Sequence, residues 1–205
     1  MNSKHEIYLD TLSIKDTLKE YASPKSKLTT LIKSGQIIQV RRGLYVPGDN
    51  ADYCIETLAN KIYGPSYVSF EYALSRYGFI PERVENVTSA VYNKNKNKTY
   101  NTPLGAFIYR RIPAAAYPRG YIRMQENAHT FLIANKEKAL CDTLYRHRSI
   151  TSYAKLSRFL LHDMRVDPEV LTDIDESAVE ELVPLYQKRI IRLFAAWLKK
   201  EFSYA

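Results

Sequence analysis

The sequence predicts an α+β protein in which an N-terminal winged helix-turn-helix is followed by a mixed α/β domain with a helical C-terminal part. Three observations support this class. Two short amphipathic helices precede a hairpin pattern, helical and strand-like segments then alternate, and the last third has helical periodicity alone. We expect the winged helix-turn-helix domain at residues 1–48, an α/β domain at 51–148 and a helical segment at 149–205 that packs on the middle domain.

Two short helices open the chain. The first is expected over residues 13–21, with its leading serine as the N-cap and an apolar stripe that ends at Tyr21. The second begins at Ser23 and Pro24, because serine caps free amides and proline in the first turn loses no hydrogen bond. It ends at Gly35, a residue that tolerates the left-handed conformation of a helix terminus. Its buried stripe consists of Leu28, Leu31 and Ile32.

Residues 36–46 have the pattern of a β-hairpin. An Ile- and Val-rich strand is followed by a turn and a short return strand. Arg41 and Arg42 are expected at the tip, where Gly43 permits a tight turn. The Pro-Gly-Asp-Asn sequence at residues 47–50 is the clearest break in the chain, so we place the first domain boundary there.

The middle of the chain alternates between the two patterns, whereas the last third does not. Helices are expected at residues 53–63, 69–77 and 135–147, and strands at 84–92, 106–112 and 130–134, with a polar loop over 93–103. Further helices are expected at residues 152–164, within 167–181 and at 184–202. The last is the longest and most apolar, so it can serve as a core helix or as a dimer face.

Charge is segregated along the chain, which has a formal net charge of +8 from 30 Lys and Arg and 22 Asp and Glu. No acid occurs over residues 21–48 or 86–125, whereas residues 167–181 hold seven acids and no base. The second acid-free stretch predicts a second basic surface that consists of Lys94, Lys96, Lys98, Arg110, Arg111, Arg119 and Arg123. Such a surface can extend a DNA footprint or meet an acidic partner or an RNA, and the three lysines can equally be a solvated loop.

The second helix has the composition of a DNA recognition helix. Such a helix enters the major groove of double-stranded DNA with cations and hydrogen-bonding side chains facing outward. The predicted DNA-binding residues are Lys25, Ser26, Lys27, Thr29, Thr30 and Lys33 of the helix, and Arg41 and Arg42 of the hairpin tip. The arginines are expected to contact flanking phosphates or a minor groove. The alternative is a solvated basic face on a small module that binds no DNA.

Features of an enzyme or a metal site are scarce in this sequence. The four histidines are scattered, Cys54 and Cys141 are isolated, and phosphate-binding loops and hydrolase motifs are missing. We therefore predict no catalytic residue, no cofactor and no metal. The alternative is a nucleic-acid-processing enzyme in which Asp173 and Asp175, a lone D-x-D pair, hold magnesium.

A membrane location is not expected. No apolar run reaches the ~18 residues of a membrane span, and the first six residues are polar. We expect a cytoplasmic protein with no membrane partner.

Four segments resemble, in order, the signatures of AbiEi-type antitoxins, which belong to the type IV toxin–antitoxin systems of abortive infection and phage defence. Residues 34–46 resemble the wing motif, 64–78 the second signature, 102–109 the third, and 133–142 the start of a helix. The resemblance covers residues 13–145. It departs at Asn135 and Lys136, where the family tends to have a proline, and the tail after Ser149 matches none of these signatures.

The resemblance implies an antitoxin that binds operator DNA and autorepresses its operon. It also implies that the part of the chain after the DNA-binding domain neutralises a nucleotidyltransferase-like toxin, with or without direct contact. The signature residues have structural interpretations as well. Ser69, Glu71 and Gly78 can cap and close a helix, and Glu137 and Asp142 can pair with Lys138, with Arg146 or with a strand end.

Overall fold

The computed structural model describes residues 7–48 and 52–202. Its first unit contains β1 (Leu9–Asp10), α1 (Thr11–Thr17), α2 (Pro24–Lys33), β2 (Ile37–Arg41) and β3 (Leu44–Pro47). The strands form an antiparallel sheet in the order β1-β3-β2. Ile14, Leu18 and Tyr45 form a small core between this sheet and the two helices.

The first helix begins earlier than the sequence predicts. The carboxylate of Asp10 caps α1 by accepting the backbone N–H groups of Leu12 and Ser13 at 2.9 and 2.8 Å, so the predicted cap at Ser13 is wrong. The helix ends at Thr17. Tyr21 therefore lies beyond it, 48% exposed, and is not part of its apolar stripe.

The second helix occupies the predicted segment. Its apolar residues Leu28, Leu31 and Ile32 are half-buried against the small core. Ser23 precedes the helix, but its side chain accepts no hydrogen bond from the first turn, so the predicted capping by Ser23 is wrong; its hydroxyl donates to the hydroxyl of Ser26 at 2.9 Å. Gly35 follows with φ of +74°, as a helix-terminating glycine should.

The second unit is built on a six-stranded mixed sheet. Its strands are β4 (Ser66–Val68), β5 (Val87–Val91), β6 (Lys98–Thr102), β7 (Gly105–Arg111), β8 (Tyr121–Glu126) and β9 (His129–Ala134), and its helices are α3 (Ile55–Ile62), α4 (Phe70–Arg76) and α5 (Lys136–Leu144). The strand order is β6-β7-β5-β4-β9-β8, with β5–β7 and β4–β9 parallel and the other pairs antiparallel. The loop predicted over residues 93–103 is wrong in its second half, which forms β6. Neither β4 nor β8 is among the predicted strands.

The C-terminal part contains α6 (Tyr153–Arg158), a π-helical turn (Phe159–Asp163), α7 (Pro168–Leu171), α8 (Glu176–Tyr186) and α9 (Arg189–Phe202). The helix predicted over residues 184–202 is therefore confirmed from Arg189 onward and wrong at its start. Pro184 lies inside the last turn of α8, and Gln187 then takes a left-handed conformation with φ of 50°. This turn returns α9 against α8.

No helix in the part of the chain that the structure describes is long and apolar enough to cross a bilayer. The longest of them, α9, has 14 residues. It buries Ile191, Phe194 and Trp197 in the core, so its apolar face is a core face.

One large core joins the hairpin to the six-stranded sheet. Val40, Leu44 and Val46 are buried in the same cluster as the side chains of α3 and of the sheet. The hydroxyl of Tyr8 also forms a hydrogen bond with Nδ1 of His129 in β9 and accepts the backbone N–H of Cys54, each at 2.9 Å. The N-terminal unit is therefore docked on the sheet.

Candidate nucleic-acid interface and basic cleft

The outward face of α2 carries the polar residues that the sequence predicts there. Lys25, Ser26, Thr29, Thr30 and Lys33 are exposed, and no residue of the helix is fully buried. The hydroxyls of Thr29 and Thr30 donate to the carbonyls of Lys25 and Ser26, at 3.0 and 3.1 Å. The lone pairs of both hydroxyls stay available as acceptors. The face can therefore offer donors and acceptors to base edges.

Lys27 differs from the other predicted residues of α2. It is half-buried, and its ammonium lies 4.8 Å from the centre of the Tyr21 ring. This cation–π contact sets Lys27 back against the segment between α1 and α2. The first turn of α2 has no acid and no side-chain cap, so its dipole and its positive charges favour an anion there.

The two arginines of the hairpin tip differ in their contacts. Gly43 turns the chain with φ of +82°, and Arg42 beside it is exposed. Arg41 is half-buried, and its guanidinium donates to the carbonyl of Arg42 at 3.0 Å and to that of Lys61, near the C-terminus of α3, at 3.4 Å. Arg41 thus ties the hairpin to α3, whereas Arg42 is open to a partner.

Two residues of the predicted second basic surface lie next to the hairpin. The ammonium groups of Lys94 and Lys98 each lie 5.2 Å from the centre of the Tyr63 ring, and that of Lys98 is also 4.7 Å from the Tyr100 ring. A hydrogen bond to Tyr100 raises the pKa of Lys98, and repulsion from Arg41 opposes this effect. The positive surface of the hairpin therefore continues onto the β6 edge of the sheet.

The other five residues of that prediction do not form one surface. Lys96, Arg110 and Arg111 line a cleft beside β7. Arg119 precedes β8 and Arg123 lies in it, at the edge of the sheet opposite β6. Five strand spacings of ~4.8 Å separate these two edges by about 24 Å. The predicted second surface is therefore divided.

The cleft beside β7 has a volume of about 420 Å³ and lies between β7, the segment after α5 and the start of α9. Its basic lining residues are Lys96, Arg110, Arg111, Arg146, Arg148 and Lys188. Burial and the charge of Arg110 lower the pKa of Arg146, and burial lowers the pKa of His147. Arg146, Arg148 and Lys188 are not among the predicted site residues. The Arg-His-Arg run directly after α5 is the sequence signal that could have identified two of them.

Several signature residues of the resemblance are buried rather than exposed. The carboxylate of Asp142 accepts the hydroxyls of Tyr67 at 3.0 Å, of Ser69 at 2.7 Å and of Tyr186. The predicted pairing of Asp142 with Lys138 is confirmed. Because the hydroxyl of Ser69 is directed to Asp142, it does not cap α4. These groups hold elements together inside the core and cannot meet a macromolecule.

Asp173 and Asp175 make structural contacts. Asp173 accepts a hydrogen bond from the ammonium of Lys136 at 3.4 Å. Asp175 caps α8 by accepting the backbone N–H of Ser177 at 2.9 Å, and its own N–H donates to Glu137 at 3.2 Å. Over residues 7–48 and 52–202, no group of three or more His, Cys, Asp or Glu side chains is placed to hold a metal ion.

The fold defines an α+β protein in which a small helix–hairpin unit is docked on a mixed six-stranded sheet. No protein-family model and no curated protein matches the chain. Among solved structures, it is similar to the crystal structure of the Rv2827c protein from Mycobacterium tuberculosis, with a TM-score of 0.61 and 15% sequence identity over 96% of this chain and 72% of that chain. At this identity, the similarity shows a shared fold alone.

Proposed function

We propose that this protein binds operator DNA and represses its own operon, with α1, α2 and the β2–β3 hairpin acting as a winged helix-turn-helix. The observation that carries the proposal is the exposed, acid-free face of α2. Lys25 and Lys33 lie toward its two ends, and the hydroxyls of Thr29 and Thr30 lie between them. Cations toward the ends and hydrogen-bonding groups at the centre suit a helix placed in a major groove.

The hairpin extends this interface in the proposed complex. Arg42, at the tip, contacts the backbone or the minor groove beside the major groove that α2 occupies. Lys94 and Lys98 continue the positive surface away from the tip. Arg41 adds its positive charge to this interface, but its main role is to hold the hairpin against α3 through its hydrogen bond to the carbonyl of Lys61.

The charge pattern favours this interface over a merely solvated face. A solvated helix usually mixes acids with its bases, since pairs at i,i+4 stabilise it by ~0.2–0.5 kcal/mol each. Lys25, Lys33 and Arg42 make no ion pair with any residue that the structure describes. An uncompensated positive face of this kind is suited to the phosphates of DNA.

Neutralisation of a nucleotidyltransferase-like toxin is the second part of the proposal, and it depends on the resemblance. The second and fourth signatures, residues 64–78 and 133–142, meet in the buried network around Asp142. The residues of these two signatures therefore support a fold in common with the antitoxins that they resemble. Any contact with the toxin would use exposed residues elsewhere on this fold. A protein that acts on its own operon in this way works in the cytoplasm, where its DNA lies.

The test of DNA binding compares the upstream region of the protein's own operon with a scrambled duplex of equal length in a gel-shift titration. The wild-type protein is expected to prefer the upstream region by at least ~1,000-fold. The combined variant Lys25→Ala, Lys33→Ala, Arg42→Ala should lose most of its affinity. The matched control replaces three exposed cations of the C-terminal helices, Lys155, Arg158 and Arg192, by alanine and should bind like the wild type. Equal affinities of the two triple variants would reject α2 as the interface.

A further inference from the structure

The cleft beside β7 is built from segments that are far apart in the sequence. One wall is the loop before β6, the second is the end of β7, the third is the segment after α5, and the fourth is the junction between α8 and α9. Its volume of about 420 Å³ lies within the ~300–1,000 Å³ of small-molecule sites. It is therefore a concave site, unlike the open face of α2.

Positive charge converges on this cleft from all four walls. Of the described residues that line it, none is acidic and six are basic, namely Lys96, Arg110, Arg111, Arg146, Arg148 and Lys188. One of them, Arg110, forms an ion pair with Glu71 and lies 5.0 Å from the centre of the Phe70 ring. The other five make no ion pair within the described ranges. The cleft thus holds five cations outside any ion pair, of which Arg146 also lies in the field of Glu71.

The walls of the cleft are held in place by hydrogen bonds. The guanidinium of Arg111 donates to the carbonyl of Asn95, and its backbone N–H donates to Oδ1 of Asn97 at 3.0 Å. These bonds fasten the loop before β6 to the end of β7. On the opposite side, the ammonium of Lys188 lies 5.7 Å from the centre of the Tyr145 ring. Arg110, Arg111 and Lys188 are therefore positioned before any ligand arrives, which lowers the entropy cost of binding.

Crowding of like charges in the cleft is unfavourable without an anion. Partial burial, followed by repulsion from Arg110, lowers the pKa of Arg146, and the charge of Glu71 opposes this shift. A ligand that places several negative charges in the cleft would remove this repulsion. Arginine guanidinium groups also bind phosphate oxygens with two parallel hydrogen bonds.

We propose that this cleft binds the polyphosphate group of a nucleotide, supplied either by a free nucleoside triphosphate or by the 5′-triphosphate end of an RNA. A triphosphate concentrates several negative charges in a small volume. It therefore complements the cations that converge on the cleft. The backbone of a duplex instead spreads its charges along the strand, at ~3.4 Å of rise for each phosphate of one strand. Tyr145 and Ile112 also line the cleft and offer apolar surface to the attached ribose or base.

The site shares no residue with the proposed DNA interface, although its loop residues 95–97 lie between Lys94 and Lys98, which extend that interface. None of its lining residues belongs to α2 or to the hairpin. The alanine variant of Lys25, Lys33 and Arg42 should therefore bind a triphosphate with wild-type affinity, so that the two proposals can fail independently.

The test measures binding of the full chain to ATP, inorganic triphosphate, AMP and a short 5′-triphosphate RNA by isothermal titration calorimetry, with magnesium in every arm. The triphosphate ligands should bind at least ~10-fold more tightly than AMP. Arg146→Ala and Arg148→Ala should each weaken ATP binding by ~10-fold or more, since a charge-assisted hydrogen bond to phosphate is lost. Arg119→Ala, which removes an exposed arginine of the same acid-free stretch outside the cleft, should change nothing.

Competition then identifies the source of the triphosphate. Displacement of ATP by the 5′-triphosphate RNA, but not by the same RNA with a 5′-hydroxyl, supports an RNA end, and tighter binding of ATP than of the RNA supports the free nucleotide. AMP binding as tight as ATP, or full ATP affinity in both arginine variants, would overturn the proposal. Displacement of ATP by duplex DNA at equal phosphate concentration would also overturn the proposal, because the cleft would then be part of the surface that contacts double-stranded DNA. Both arginines have largely exposed side chains, Arg146 being partly covered within the cleft, so the thermal melting curves of the variants should match the wild type.

Discussion

The ammonium of Lys138 lies 3.4 Å from the carboxylate of Asp142, one turn along α5, and neither side chain is exposed to solvent. Lys138 also donates to the hydroxyl of Tyr186 at 2.6 Å and to the carbonyl of Ala116 at 2.8 Å. Asp142 in turn accepts the hydroxyl of Ser69 in the segment between β4 and α4. One buried ion pair thus connects two signature segments with α8, which lies outside the resemblance.

Breaking this pair from one side should destabilise the fold strongly. Lys138→Met leaves the Asp142 carboxylate buried without its cation, and loss of one partner of a buried pair costs about 3–5 kcal/mol. The double variant Lys138→Met, Asp142→Leu should be less destabilised than the sum of its single variants, because no unpaired charge remains. Urea denaturation followed by circular dichroism measures these free energies.

The neighbouring Lys136 provides the matched control for this prediction. It forms a partly exposed pair with Asp173, so Lys136→Met should lower the free energy of unfolding by less than about 1 kcal/mol. A loss in Lys138→Met no larger than that in Lys136→Met would show that the buried pair does not support the fold.

The buried tyrosines should make the protein sensitive to alkali. Burial, followed by the charge of Asp142, raises the pKa of Tyr67 and Tyr186, and burial raises the pKa of Tyr109. In the unfolded chain tyrosine titrates near its model value of 10.0. Because the folded pKa values lie higher, their contribution to stability is complete below about pH 10 and is lost as the pH rises toward the folded values. For each of these tyrosines, the free energy of unfolding should fall by up to about 1.4 kcal/mol for each pH unit in this range.

Ultraviolet absorbance of tyrosinate and far-ultraviolet circular dichroism, recorded in one alkaline titration, check this expectation. A fraction of the tyrosines should ionise only in the step in which the helical signal is lost. Complete ionisation near pH 10 with the helical signal intact would contradict the buried positions of Tyr67, Tyr109 and Tyr186.

The base of the hairpin should not accept a side chain at Gly48. Its backbone N–H donates to the carbonyl of Gln36 at 2.8 Å, and a Cβ atom there would lie 1.6 Å from the carbonyl oxygen of Gly35. Gly48→Ala should therefore displace the hairpin from α2 and abolish DNA binding. Gly64→Ala is the control, since its nearest contact would be an ordinary 3.5 Å. Nuclear magnetic resonance spectra of the N-terminal unit that are the same in both variants would contradict this close approach.

Docking of the N-terminal unit should depend on the hydroxyl of Tyr8. Tyr8→Phe leaves Nδ1 of His129 and the backbone N–H of Cys54 without this partner, and a buried polar group that loses its partner costs about 1–3 kcal/mol. Tyr21→Phe removes an exposed hydroxyl and should change stability by less than about 0.5 kcal/mol. Equal unfolding midpoints for the two variants would argue against the docking contact.

Local patterns predicted the elements whose stabilising residues are close in sequence. Asn135 accepts the backbone N–H of Lys138 at 2.9 Å and so caps α5 as predicted. The edge strand β8 was not predicted, because most of its residues are exposed and its sequence shows little alternation of apolar and polar residues. The strand forms through its antiparallel pairing with β9. The turn at Asn127, a residue with φ of 52°, was a local sign of that hairpin.

The start of the helix predicted over residues 184–202 was wrong for a different reason. Proline is common in the first turn of a helix, so Pro184 suggested a start, but the apolar pattern of Val179 and Leu182 already runs through it. Only the packing of α8 against α9 requires the turn at Gln187.

Sequence alone could locate the α2 face but not the basic cleft. Depletion of acids around a single helix is visible along the chain. By contrast, the carbonyl of Lys61 that engages Arg41 lies 20 residues away from it. Arg148 and Lys188 meet Lys96 only when three separate segments pack together.

The salt dependence of operator binding tests the central claim most directly. If about five phosphates are neutralised, the logarithm of the wild-type affinity should fall against the logarithm of salt concentration with a slope of about −4 to −5. Removing Lys25, Lys33 and Arg42 together should make the slope shallower by about 2.7, since each phosphate contact contributes about 0.9. The same slope and affinity in the wild type and this triple variant would contradict DNA binding through α2 and the hairpin tip.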